Sequence, residues 1–270
     1  MRKLSIITVC YHSGSKLTET VKTVFQQTYT DWEIVIKDAG STDGSLQELQ
    51  AFLETADAGK AAQVHVISQG DAGIYDGMNQ ATKAAQGEYF YFLNCGDRLP
   101  EATTLETFMK GVEEQPGSLI YYGDVCDMLR QSRVKSNPHM DAFGCYRHVP
   151  CHQACVYHRS LFEERGYRTE YKIRADYEHF LWCFFEKKAN PKYIDVVLSE
   201  YEGGGFSETK ENRALSAKEH KEIVAQYMSK GQLFKYRSVM LLTLQPLRTW
   251  MAENPYLGKW YQKFKKLLYR

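Results

Sequence analysis

Four short runs rich in β-branched and aromatic residues punctuate the first 93 residues, and the stretches between them repeat at helical spacing. The runs are Leu4 to Cys10, Trp32 to Ile36, Val64 to Ile67 and Glu88 to Leu93. Each has the length of a strand and is too short for a helix. Between them, Leu17, Val21, Val24 and Phe25 share one helical face, with Ser15 placed to cap it. Leu46, Leu49, Phe52 and Leu53 define a second helix. Ile74 to Gln86 read as a third, with Gly87 where a left-handed cap belongs. Strands alternating with helices require crossover connections. The chain therefore reads as α/β, with a mostly parallel central sheet flanked by helices.

Sheets of this kind bind ligands at the carboxyl ends of their strands. The notable polar residues fall there: Thr8 and Tyr11, then "DAGSTDGS" from Asp38 to Ser45, then "NCGD" from Asn94 to Asp97. No G-x-G-x-x-G follows the first strand and no G-x-x-x-x-G-K-[ST] occurs, which excludes the usual dinucleotide and P-loop readings. The strand-end loops are acidic instead, with Asp38, Asp43, Asp71, Asp76 and Asp97 in or near them. Carboxylates repel a phosphate unless a divalent cation stands between them. Mg²⁺ or Mn²⁺ does this with few protein carboxylates plus substrate phosphate. The pattern points to a metal-bridged nucleoside diphosphate.

Beyond residue 116 the pattern is less regular. "SLIYYGD" reads as a strand, "VCDMLRQSRVK" as a hairpin and "CHQACVYH" as another strand. "ADYEHFLWCFFEK" reads as a helix with Phe180, Trp182, Phe184 and Phe185 on or near its buried side. Tyr193 to Leu198 read as a last strand leading into "EGGGFS", with helices over 209–250. With 43% hydrophobic and 25% charged residues a core is affordable and disorder is excluded. A net charge of +1 argues against a nucleic-acid partner. Seven scattered Cys, no secretory signal and no run of about 18 apolar residues indicate a reduced, cytoplasmic chain.

"SIITVCYHS" at 5–13, "TVFQQTYTDWEIVIKDAGSTDGS" at 23–45, "GDAGIYDGMNQATKAAQGEYFYFLNCGD" at 70–97, "HQA" at 152–154, "RADYEHF" at 174–180 and "GGGFS" at 203–207 together resemble family 2 glycosyltransferases of the GT-A fold. Enzymes of that family build bacterial capsule, exopolysaccharide or O-antigen. The resemblance implies a GT-A catalytic domain over 1–210 and a helical extension over 211–270. It implies that Thr8, Tyr11, Asp38 and Asp43 serve the nucleoside end of a nucleotide sugar, UDP being favoured. Asp71, Gly73, Ile74, Tyr75, Asn79 and Asn94 would line the sugar and diphosphate pocket. Asp97 would hold Mg²⁺ or Mn²⁺, and Asp176 would be the catalytic base of an inverting transfer. His152, Gln153, Gly204 and Ser207 would face a glycan or lipid-linked acceptor. The sequence departs from the commoner motif at Gly96, where many relatives carry a second Asp.

Plainer readings stand beside these. Asp38 and Asp43 suit helix caps, Asp97 suits a turn, and Asp176 suits the positive end of a helix dipole. Glu178 competes with Asp176 as base. Cys145, His148, Cys151, His152, Cys155 and His158 raise a structural zinc, though their spacing matches no standard finger. A nucleotidyltransferase would need a basic Gly-rich loop, of which "VCYHSGSKLTE" is a poor version, and a non-catalytic sugar-nucleotide binder would have lost Asp97 or Asp176. The tail "GKWYQKFKKLLYR" sets Trp260, Phe264, Leu267 and Leu268 on one helical face among five cations and no acid. Such a helix suits an anionic membrane surface and predicts a peripheral enzyme on the inner face of the cell membrane.

Overall fold

The computed structural model describes residues 3–201 and 210–243. The chain divides into two compact units, residues 1–220 and 221–270. The first unit begins with β1 (Leu4–Cys10), α1 (Lys16–Phe25), β2 (Trp32–Asp38), α2 (Ser45–Thr55), α3 (Ala58–Ala61), β3 (Val64–Ser68), α4 (Ile74–Ala84) and β4 (Tyr89–Phe92). These four strands lie side by side in the order β3-β2-β1-β4, all parallel. The crossover reading of the sequence holds there. The reason is burial on both faces: Ile6, Trp32, Ile34, Ile36 and Tyr91 are fully enclosed.

The sheet then changes character. After α5 (Thr104–Glu114) come β5 (Ile120–Asp127) and β6 (Ser132–Val134), an antiparallel hairpin as the sequence suggests. Helix α6 (Ala142–Arg147) and a 3₁₀ turn (His152–Ala154) lead to β7 (Cys155–His158), which runs antiparallel between β4 and β5. Then follow α7 (Ser160–Glu164), α8 (Ala175–Phe185) and β8 (Lys192–Tyr201), the last paired parallel to β5. The sheet is thus parallel at the first half and mixed at the second. Helix α8 is enclosed nearly all round, with Phe180 and Trp182 buried and Phe184 and Phe185 half-buried. Helices α9 (Lys210–Tyr227) and α10 (Lys230–Leu242) occupy the region where the sequence places helices. A Ser229–Gln232 capping box opens α10.

Two local expectations change. Ser15 sits at the start of α1 in helical conformation and makes no side-chain cap. Gly87 is not left-handed, and α4 stops at Ala84. Gly87 is needed for close approach instead: a Cβ there would stand 2.5 Å from Ser5 Oγ. Its amide donates to Ser5 Oγ at 2.7 Å and to the buried Glu33 at 3.0 Å, which seats β4 against β1.

Register brings the site together. Cys10, Asp38 and Ser68 are cross-strand neighbours at the carboxyl ends of β1, β2 and β3. On the other side of β1, Leu93 donates to Ile7 O, so the turn after β4 opens beside Thr8.

Candidate active site

Asp38 is fully buried and organises its own loop. It accepts from Gly40 N at 2.9 Å, Ser41 N at 3.0 Å, the Ser41 hydroxyl and Ser68 Oγ at 2.7 Å. Burial works against its ionisation, but the Ser41, Ser68 and Gly40 donors outweigh it and hold the carboxyl below its ordinary value. Asp43 is exposed and joins two loops. It accepts from Gly14 N at 2.9 Å and from Ser45 Oγ at 2.7 Å. The Ser45 hydroxyl first, then the Gly14 amide, draw its pKa from 3.8 to about 2. In the same interface His12 adopts φ 47° and accepts support from Ser41, whose Oγ takes the His12 N–H at 2.9 Å. Tyr11 stacks on His12 at 4.1 Å and is 62% exposed.

Lys37 was not singled out by the sequence. It is a fully buried lysine in a strand whose other residues, Glu33 and Asp38 apart, are apolar. Its ammonium donates to Asp38 O at 2.9 Å, Gln69 O at 2.6 Å and Asp71 Oδ2 at 2.9 Å. All three of its protons are used. The other Asp71 oxygen accepts from Gly73 N at 3.0 Å, and Gly73 holds φ 124°, which favours glycine. One buried cation thereby fixes the ends of β2 and β3 and the loop that begins α4. The only signal available in the sequence was a charge where the strand pattern calls for an apolar residue.

These loops enclose a cavity of about 520 Å³ lined by Val9, Cys10, Tyr11, Asp71, Gly73 and Ile74 among others. Tyr11, Asp71, Gly73 and Ile74 therefore come together as the sequence suggests. Thr8 does not line it: it is buried and donates to Leu93 O at 2.8 Å. Asn79 spends its amide on Tyr167, donating to its carbonyl at 2.8 Å and accepting its N–H at 2.7 Å.

Asn94 and Asp97 stand on the far side of β1. The turn hangs from α1: Thr20 Oγ1 donates to Asp97 O at 2.9 Å and accepts from Gly96 N at 2.9 Å. Gly96 has φ 96°, so a second Asp at this position would be strained, which accounts for the departure noted above. The turn lies close to the loops of the cavity. The Cys95 thiol is raised first by burial and then by the charges of Asp97 and Asp43 together.

The turn suits a hard divalent cation. Asp97 is only 7% exposed, and Asn94 Oδ1 is buried with no hydrogen-bond partner, an oxygen left available for coordination. Among the described residues no three His, Cys, Asp or Glu side chains converge, so the protein would supply few ligands and the diphosphate and water the rest. The Cys and His of 145–158 take other partners. Cys155 Sγ contacts Cys151 O, His158 contacts Ser160 Oγ, and His152 Nε2 lies 2.8 Å from the Tyr167 hydroxyl.

Asp176 begins α8 and is half-buried. The Tyr75 hydroxyl lies 2.8 Å from its Oδ1 and 2.9 Å from Ile173 O, and shares its one proton between them. Burial first, and then the Asp176 charge, keep the Tyr75 phenol protonated well above the ordinary range. Tyr75 follows Gly73 and Ile74 directly, so the cavity wall and Asp176 are joined by one side chain. Glu178 has a different fate. It is fully buried and paired fork to fork with Arg165, at 3.1 and 2.9 Å. His152 is half-buried, and burial lowers its pKa although the Asp176 charge opposes this. Gln153 is half-buried beside it. Gly204 and Ser207 lie outside the described residues.

A parallel α/β half whose strand-end loops surround the cavity, followed by a mixed half, is a fold of GT-A type. The family model for Glycosyl transferase family 2 matches residues 5–166. A PGL/p-HBAD biosynthesis glycosyltransferase of Mycobacterium bovis is 32% identical over 207 residues, covering 76% of this chain and 79% of the relative. The chain therefore belongs to glycosyl transferase family 2 and is a glycosyltransferase. Its fold is similar to that of S. aureus TarS 1–349 solved with UDP-GlcNAc, at TM-score 0.64 and 18% identity over 92% of this chain and 78% of that one. It is also similar to the mannosyltransferase PcManGT of Pyrobaculum calidifontis solved with GDP-Man and Mn2+, at TM-score 0.63 and 16% identity over 95% and 85%.

Proposed function

We propose that the protein is an inverting glycosyltransferase that moves a sugar from a nucleoside-diphosphate sugar, UDP-linked by preference, to a glycan or glycolipid acceptor of the cell surface. Asp176 is the base. The observation that carries this is the contrast of the two acids on α8: Glu178 is locked by Arg165, whereas among the described residues the Asp176 carboxylate accepts only from the Tyr75 phenol and keeps a share of open surface. The cavity bounded by Tyr11, Asp71, Gly73 and Ile74 takes the nucleoside end. Tyr11, exposed and stacked on His12, offers a flat face to a base.

Asp97 and Asn94 would hold a divalent cation, Mg²⁺ or Mn²⁺, which neutralises charge on the departing diphosphate when bound. The relative solved with GDP-Man and Mn2+ supports divalent metal use in this fold. In the transfer, the acceptor oxygen forms a bond to the anomeric carbon as the bond to the diphosphate breaks. Asp176 accepts the proton of the attacking hydroxyl. One displacement at one face inverts the centre, so an α-linked donor gives a β-linked product. Tyr75 orients the Asp176 carboxylate for this. His152, kept neutral by burial, and Gln153 serve the acceptor side.

The name of the mycobacterial relative, a PGL/p-HBAD biosynthesis glycosyltransferase, supports a glycolipid acceptor. The basic tail from Gly258 onward, outside the described residues, supports peripheral attachment to an anionic membrane. No helix among the described residues is long and apolar enough to cross a membrane. The deciding experiment is a screen of nucleotide sugars for metal-dependent release of the free nucleoside diphosphate. Release from none of them by the intact protein would refute the reading.

A further inference from the structure

A second cavity, about 420 Å³, opens between the segment after β6 and helix α6. Lys135, His139, Arg147 and His148 line it, and Asp141 is the only carboxylate in its wall. That carboxylate is already used: it caps α6 by accepting from Gly144 N at 2.6 Å. Among the described residues no acid forms an ion pair with Lys135, Arg147 or the nearby Arg174; the ion pairs of this unit engage other cations. The imidazole beside them senses these cations. His148 keeps much of its surface open, yet protein atoms crowd its ring. That desolvation first, and then the charges of Arg174 and Arg147, hold its pKa below the ordinary imidazole value.

The walls are fixed from behind. Ser136 donates its N–H to Asp124 Oδ1 at 2.8 Å and its hydroxyl to Gly123 O at 2.7 Å. The Tyr122 hydroxyl donates to Asn137 O at 2.6 Å. The Tyr177 hydroxyl donates to Cys145 O at 2.7 Å, tying α6 to α8 one residue after Asp176. A cationic cavity is thus held rigidly beside the start of α8. Gathering Lys135, Arg147 and Arg174 costs free energy, and the acids set against it among the described residues are Asp141 in the wall and Asp195, itself paired with Arg133. An anion supplied from outside offsets it, and a tetrahedral phosphate accepts from several such donors at once.

We propose that this cavity is a phosphate-binding subsite that holds a phosphate or diphosphate group carried by the acceptor. The acceptor half of this statement rests on the glycosyltransferase reading above; the anion site does not. The proposed function assigns the nucleotide's own diphosphate to the turn after β4, whose residues do not line this cavity. The cavity instead lies beside the start of α8, the helix that carries Asp176.

The test uses inorganic pyrophosphate with EDTA present, so that metal-bridged binding at the donor site is suppressed. The imidazole signals of His139 and His148, assigned by His139→Gln and His148→Gln, are followed by NMR during titration. A saturable shift at both is expected. Arg147→Ala and Lys135→Ala should each weaken the affinity by roughly tenfold, and Arg147→Lys should retain most of it. Both side chains are exposed, so the melting temperature should not move and lost binding cannot be ascribed to unfolding. Absence of a shift, or an affinity unchanged by Arg147→Ala, overturns the anion site. In a second arm, geranyl diphosphate is added to the pyrophosphate complex. Competition supports a group carried on an acceptor; failure to compete overturns that assignment and leaves a site for free anions. Nucleotide release by the unaltered enzyme is read separately, so that a failure of the glycosyltransferase reading is seen as such.

Discussion

The ends of β1, β2 and β3 and the start of α8 each present carboxylates, yet they hold them in opposite ways. Asp38, Asp43 and Asp71 are saturated by near neighbours: backbone amides, serine hydroxyls and the buried Lys37. Asp71 lines the cavity, and Asp38 and Asp43 hold the loops beside it. Asp176 is held by one phenol from a helix 101 residues earlier in the chain. The difference teaches that the cavity side is built rigid from hydrogen bonds that join one strand-end loop to the next, whereas the start of α8 keeps a carboxylate with capacity to spare. The same division holds for cations. Lys37 is completely satisfied, while among the described residues Arg147 and Lys135 form no ion pair.

The largest effect that can test this contrast is at Asp176. Asp176→Asn should leave donor binding intact and lower turnover by roughly 10²–10⁴, the usual loss of a general base. Glu178→Gln should instead reduce stability, because it leaves Arg165 facing a neutral amide. If single-turnover kinetics show the large loss in Glu178→Gln and not in Asp176→Asn, the two acids exchange roles.

Next comes Lys37. Lys37→Met leaves Asp71 without its cation and two carbonyls without their donor. A loss of about 3 kcal/mol in denaturant unfolding is expected for breaking a buried pair. Because Asp71 and Gly73 line the cavity, the KM for donor should rise more than kcat falls. An unchanged KM in a folded variant would show that the donor wall does not depend on this ammonium.

Tyr75→Phe is smaller. It removes the tether and leaves the ring, which packs against Tyr167 at 5.4 Å. A loss of one hydrogen bond to a charged group, about 1.5 kcal/mol, predicts roughly tenfold in kcat with little change in donor affinity. An equal fall in donor affinity would place Tyr75 in the pocket rather than behind the base.

The smallest effect concerns pH. The Asp43 carboxyl titrates at about 2 in the folded chain and near 3.8 when unperturbed. A depressed folded value means that its contribution to stability is present above pH 3.8 and is lost as pH falls through about 2. The melting temperature of Asp43→Asn should therefore lie slightly below that of the parent at pH 6 and converge with it near pH 2. A difference that persists unchanged at pH 2 would show that the carboxyl's charge is not what joins the two loops.

The chain's own order of residues determined the parallel half. Strand-length apolar runs alternating with helical faces admit one arrangement, and the polar strand ends mark where it binds ligands. It also marked "NCGD" as a strand-end turn and a candidate metal site, and Asp176 with Tyr75 as members of one family pattern. Only the tertiary structure decided how these are used. Gly87 serves close approach to β1 rather than a helix cap, because Ser5 and Glu33 come to it from distant strands. Asn79 holds Tyr167 across 88 residues, and Glu178 rather than Asp176 is consumed by Arg165. The physical reason is range. Periodicity and turn chemistry are set by residues within a few positions of one another and can be read along the chain. Whether a buried charge is satisfied depends on partners that meet only when the sheet has closed, as they do for Lys37, Glu178 and Asp176.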